Sequence, residues 1–195
     1  MSERRAEVAR TTNETDVRVA LNLDGAGAAS ADSGIPFFDH MLQQLGKHAG
    51  WDLNLACKGD LEVDGHHTVE DCGLALGQAL ADALGDKAGI RRFASITVPL
   101  DEAAVEVALD LAGRTFVVHE VPVPAETIGS FDTGLVEDFV RAFAQSAGLT
   151  IHVRLVSGRS PHHVCEAEFK AIAKALGDAC RPTGRSDVPS TKGTL

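Results

Sequence analysis

The chain has 195 residues, 44% of them hydrophobic, and a formal net charge of -10, enough apolar material for one domain or two small ones. The acidic balance argues against nucleic acid as a partner. No apolar run approaches the roughly 18 residues of a membrane span, and the start, MSERRAEVARTTNET, lacks the apolar segment of a signal peptide, so a cytoplasmic location is expected.

Taken in chain order, alternation predicts a strand in DVRVALNLDG, Asp16 to Gly25. A helix follows from Pro36, PFFDHMLQQLGKHA, and stops at Gly50, then a strand in WDLNLACKGDLEV, then a helix opening on His66 in HHTVEDCGLALGQAL. The same succession returns. A strand is predicted in AVEVALDLAG (Ala104 to Gly113), a helix in GLVEDFVRAFAQSA stopping at Gly148, a strand in LTIHVRLVSG, and a helix in HHVCEAEFKAIAKAL from His162. The first strands are preceded by NET (Asn13 to Thr15) and DEA (Asp101 to Ala103). This is an internal duplication with a period too long for a solenoid. It divides the chain into a first half over 1–90 and a second over 91–195, forming one compact unit. Strand and helix do not alternate strictly, so an α+β class with mixed sheets is expected, helix layer packed on helix layer between outer sheets. Cys57, Cys72, Cys165 and Cys180 form no CxxC pair and read as reduced thiols. The tail from Arg181 to Leu195 is polar and loop-like.

The two HHxxE stretches carry the chemistry. Successive helical side chains diverge by about 100°, so His66 and Glu70 lie about 40° apart and can share an ion, while His67 points elsewhere. The same holds for His162 with Glu166, and for His163. One HHxxE could be no more than exposed histidines with a glutamate favoured by the helix dipole, and short patterns match by chance. Recurrence at equivalent positions argues for two pseudo-symmetric metal sites. His40, early in its helix, has Asp138 as its counterpart, and both residue types are competent ligands. Imidazole plus carboxylate without cysteine suits Mn or Fe better than a closed structural zinc site. His48 and His119 read as surface histidines, and His152 as a structural one in an alternating strand.

Arg92, Arg114, Lys170 and Lys192 are each unremarkable alone. Together, in an acidic chain, they could build an anion pocket for a phosphorylated substrate. The residues themselves leave open a dinuclear hydrolase that activates water. A metal-storage assembly fits less well, because carboxylate bundles of that kind use four long helices.

Along nearly its whole length, through ARTTNETDV, SGIPFFDHML, GDLEVDGHHTVED, VPLDEA, LDLAGR, FDTGLVEDF, HHVCEAEFKA and PSTKG, the chain resembles the imidazoleglycerol-phosphate dehydratases of histidine biosynthesis. The resemblance implies two similar halves, with four helices sandwiched between two four-stranded mixed sheets. It also implies assembly into a 24-mer with two Mn2+ ions per subunit, bound where subunits meet. By position, the implied metal ligands are His40, His66, His67, Glu70, Asp138, His162, His163 and Glu166. The implied substrate contacts are Glu14, Arg92, Arg114, Lys170, Ser190 and Lys192. Asp138 stands where many members have histidine, and Gly65 where an acid often precedes HHT. The implied reaction dehydrates imidazoleglycerol phosphate to imidazole-acetol phosphate. Glu14 is the candidate for its proton transfers, with His67 and Glu166 as the other catalytic candidates.

Overall fold

The computed structural model describes residues 4–123 and 127–195. In the first half β1 (Arg5–Thr11), β2 (Thr15–Asn22), β3 (Ala29–Asp32) and β4 (Asp52–Gly59) form one sheet in the order β1-β2-β4-β3. In the second, β5 (Phe93–Leu100), β6 (Ala103–Asp110), β7 (Phe116–Glu120) and β10 (Thr150–Ser157) repeat it as β5-β6-β10-β7. Each sheet has two antiparallel pairings and one parallel edge. A small hairpin of β8 (Thr127–Ile128) and β9 (Phe131–Asp132) stands apart. The helices are α1 (Pro36–Ala49), α2 (His66–Leu84), α3 (Leu135–Ala147) and α4 (Pro161–Ala179). Among the described residues no helix is long and apolar enough to cross a membrane.

The central strands bury one face, as alternation requires. Val17, Val19 and Leu21 of β2 point into the core, and so do Val105, Val107 and Leu109 of β6. Both α1 and α3 end on a glycine in the left-handed region, Gly50 at φ 78° and Gly148 at φ 62°, where a side chain would be strained. All four cysteines are buried free thiols.

The helices meet across the halves, α2 against α3 and α1 against α4. Close approach explains the first pairing, since a Cβ at Gly77 would overlap the carbonyl oxygen of Phe143. Phe139 sits at the centre, with ring centroids 5.3 Å from Phe169 and 5.5 Å from Phe38. Such aromatic pairs add about 0.5–1.5 kcal/mol each beyond area burial. The crossed packing matters for function, because it carries the start of each HHxxE helix to the opposite half.

Candidate active site

Both histidine pairs fall in the first turn of a helix. Asp64 Oδ1 accepts from the His66 amide at 2.7 Å, and Ser160 caps α4 by accepting from the His163 amide. The planes of adjacent rings are nearly perpendicular, at 74° for His66 and His67 and 82° for His162 and His163. One residue from the other half enters each cluster. His66 Nδ1 lies 3.3 Å from Asp138 Oδ2 on α3. Glu166 Oε2 lies 3.2 Å from His162 Nε2 and 3.7 Å from His40 Nε2 on α1. Thus Asp138 contacts the first histidine directly, whereas its counterpart His40 contacts the glutamate that His162 bonds. Glu70 is exposed on α2.

Lys170 Nζ donates to Glu166 Oε1 at 2.6 Å. Partial burial opposes ionisation of Glu166, but that hydrogen bond and the Lys170 charge outweigh it, holding the carboxyl below its ordinary range. The histidine–carboxylate donor set fits a divalent cation such as Mn2+. Among the described residues no group of three or more His, Cys, Asp or Glu side chains is disposed to hold an ion.

The second histidines have partners of their own. His67 Nδ1 bonds Asp60 at 3.1 Å while its Nε2 faces Glu14 Oε1 at 3.8 Å. His163 Nδ1 bonds Glu102 Oε2 at 2.7 Å while its Nε2 faces Asp101 at 3.8 Å. These hydrogen bonds, first from Asp60 and from Glu102, raise both imidazoles above their ordinary value. The bond to His163, with backbone amides second, lowers Glu102 to about 2. Glu14 sits in a built turn: Thr12 Oγ1 accepts from the Glu14 and Thr15 amides at 3.1 and 3.0 Å. Thr15 Oγ1 in turn donates to buried Asp71 of α2 at 2.5 Å.

At the far end of the second sheet, Arg92, Arg114, Ser190 and Lys192 line an open cleft of about 810 Å³. Arg92 is held by a two-pronged pair with Asp110 (2.7 and 3.0 Å) and donates to the Pro189 carbonyl at 2.7 Å. Lys170 does not line this cleft; within one chain it belongs with Glu166.

A family model described as imidazoleglycerol-phosphate dehydratase matches residues 33–176. The chain belongs to the imidazoleglycerol-phosphate dehydratase family. It is 54% identical to the imidazoleglycerol-phosphate dehydratase of Acidothermus cellulolyticus, over 98% of this chain and 93% of that one. It is also 54% identical to that of Cereibacter sphaeroides, over 98% and 100%. Among solved structures it is similar to the dehydratase of Staphylococcus aureus, with TM-score 0.80 and 33% identity over 91% of this chain and 99% of that chain. The corresponding values for the Pyrococcus furiosus protein are 0.81 and 31%, over 96% and 100%. Members are hydro-lyases, and the chain is an enzyme of that class.

In this family member one expectation fails outright: His119 is not a surface histidine. Its side chain is 6% exposed and its Nε2 bonds Glu168 Oε1 at 2.9 Å, while Glu168 is fully buried. Nothing in VVHEV signals a partner 49 residues further on. His48 is half-buried and bonded to Gln44 Oε1 at 2.8 Å, and His152 is half-buried beside the Phe116 ring. Burial opposes protonation of His119, but the hydrogen bond and charge of Glu168 prevail and raise it. A raised folded-state value means that the stabilisation is complete below the unfolded value of about 6.5. It is lost as pH rises through the folded one. Replacing His119 by alanine strands a buried carboxylate and is expected to cost about 3–5 kcal/mol. Urea unfolding from pH 6 to 9 checks both points: the gap between wild type and variant should narrow as pH rises.

Proposed function

We propose that the chain dehydrates imidazoleglycerol phosphate to imidazole-acetol phosphate in L-histidine biosynthesis, as a cytoplasmic enzyme dependent on two Mn2+ ions per subunit. The observation that carries this reading is the crossed pairing of His40 with Glu166, which also bonds His162, and of Asp138 with His66. His40, His66, His67, Glu70, Asp138, His162, His163 and Glu166 would hold the ions. Among the described residues no three such side chains gather in one chain, so the sites would close between subunits, in keeping with a 24-mer. When bound, a divalent cation supplies Lewis acidity to the imidazole ring of the substrate.

The chain's own groups do the rest. The Glu14 carboxylate takes the proton from the carbon one removed from the ring, the C–O bond on the carbon beside the ring breaks, and the departing hydroxyl receives a proton to leave as water. The resulting enol tautomerises to the ketone. Lys170 fixes Glu166 through its 2.6 Å contact and contributes to substrate binding. Arg92, Arg114, Ser190 and Lys192 hold the phosphate, so that remote binding energy positions the reacting carbons.

An assay of the purified protein with and without Mn2+ tests the reaction. Water loss from the diol supports it, and release of inorganic phosphate would point to a hydrolase instead. Shared ligands also make ion binding an assembly free energy. Chelation should therefore abolish activity and shrink the particle in size-exclusion chromatography, both reversed by Mn2+. A particle of unchanged size after chelation would show that the interfaces do not depend on metal.

A further inference from the structure

The duplication sets the turn before β2 on the turn before β6, so Glu14 and Glu102 are equivalent, as are Val17 and Val105. Yet the two glutamates are placed differently against equivalent histidines. Glu102 bonds Nδ1 of His163 at 2.7 Å through Oε2, while its Oε1 accepts from the Ser160 amide at 2.8 Å. Glu14 lies on the other side of its ring, 3.8 Å from Nε2 of His67, and Nδ1 is taken by Asp60 at 3.1 Å.

The cause sits one strand away. The extra residue at the β-bulge between Leu155 and Ser157 makes Gly158 the counterpart of Gly59, and a Cβ at either glycine would meet equivalent neighbours, Val164 and Ala103 at Gly158 and Thr68 and Thr15 at Gly59. Asp60 is therefore matched by Arg159, which carries no carboxylate, so in the second half the orienting carboxylate comes from Glu102. In the first half Asp60 supplies it, and the Asp60 amide also donates to the Glu14 carbonyl at 3.1 Å.

We infer that Asp60 and Glu102 are positioning residues that hold Nδ1 of His67 and of His163, leaving Nε2 as the donor nitrogen, and that Asp60 thereby frees Glu14 for the substrate. A carboxylate on Nδ1–H fixes the tautomer and ring orientation and makes the other nitrogen a better ligand, an effect typically worth 10–100-fold in metal affinity. The two equivalent glutamates have thus parted: one orients a histidine, the other is spare. This rests on the metal reading proposed above.

The test titrates Mn2+ alone into metal-stripped protein by calorimetry. Glu102→Ala and Asp60→Ala should each weaken affinity by about 10–100-fold. Glu102→Gln and Asp60→Asn, which keep an acceptor for Nδ1, should recover much of it. Glu14→Ala should leave affinity within about twofold, since it holds no histidine nitrogen in the free enzyme. Wild-type affinity in Glu102→Ala and Asp60→Ala, or a loss in Glu14→Ala as large as theirs, overturns the inference. Failure of the wild-type protein to take up Mn2+ would sink the metal reading. Positioning is then judged separately by nitrogen-15 NMR on metal-free protein at alkaline pH. Both rings should carry their proton on Nδ1, with Glu102→Ala disturbing only His163 and Asp60→Ala only His67. Unchanged tautomers in those variants would count against any positioning role.

Discussion

Replacing Glu14 by glutamine is expected to lower kcat by at least about 100-fold while the substrate still binds. The substitution keeps shape and removes the base. The turn that carries Glu14 should survive it, because its bonds run through Thr12, Thr15 and Asp71 and not through the Glu14 carboxylate. That carboxylate is half-exposed and faces the Nε2 side of His67, a placement with little structural purpose and an obvious chemical one. Steady-state kinetics separate the possibilities. A fall confined to kcat marks a group acting on the reacting atoms, whereas a rise confined to KM would make Glu14 a binding contact only. If kcat stays near the wild-type value, the proton transfers belong to Glu166 or His67.

Much of this architecture is legible before any coordinate is seen, and the reasons are local. The glycine stops at Gly50 and Gly148 and the alternation of β2 and β6 are properties of short segments, so pattern suffices. The strands that escape alternation are edges. In β1 and β5 neither face is fully buried, so the hydrophobic contrast that marks β2 fades. The short parallel edges β3 and β7 are set by their neighbours. The crossed contact of α2 with α3 could not be read, because Gly77 looks like an ordinary weak point in a helix until the Phe143 backbone lies against it.

The candidate site divides along the same line. His40 and Asp138 follow from aligning two helices. Glu102 was equally alignable with Glu14, but its different use depends on Arg159 standing where the first half has Asp60, a match set by the β-bulge in β10. Asp60 lies within GDLEVDGHHTVED, but nothing in that stretch assigns it a role; the signal was a carboxylate just after a strand and seven residues before His67. Arg92 and Arg114 do share a cleft with Ser190 and Lys192, whereas Lys170 is drawn to Glu166 by i,i+4 spacing on one helix.

Deleting residues 189–195 is expected to leave the fold and metal uptake intact while raising KM roughly ten- to a hundredfold, the range of one lost charge-assisted hydrogen bond. The fold should tolerate the cut. The tail up to that point is tied down by backbone bonds from Gly89 to Asp187 (2.9 Å), from Thr183 to Gly89 (2.8 Å) and from Arg91 to Arg181 (3.0 Å). Beyond Pro189 the backbone bonds are local, Ser190 to Val188 and Gly193 to Ser190. Arg92 loses the Pro189 carbonyl but keeps Asp110, so its guanidinium stays oriented. What disappears is positive potential and donor groups at the cleft, in a protein whose net charge of -10 otherwise repels a dianionic phosphate. Lys192→Ala should reproduce part of the KM effect without shortening the chain. If the tail also excludes water from the bound substrate, kcat falls together with the rise in KM. If both constants survive deletion, Lys192 is a solvated charge, and Arg92, Arg114 and Lys170 must hold the phosphate without it.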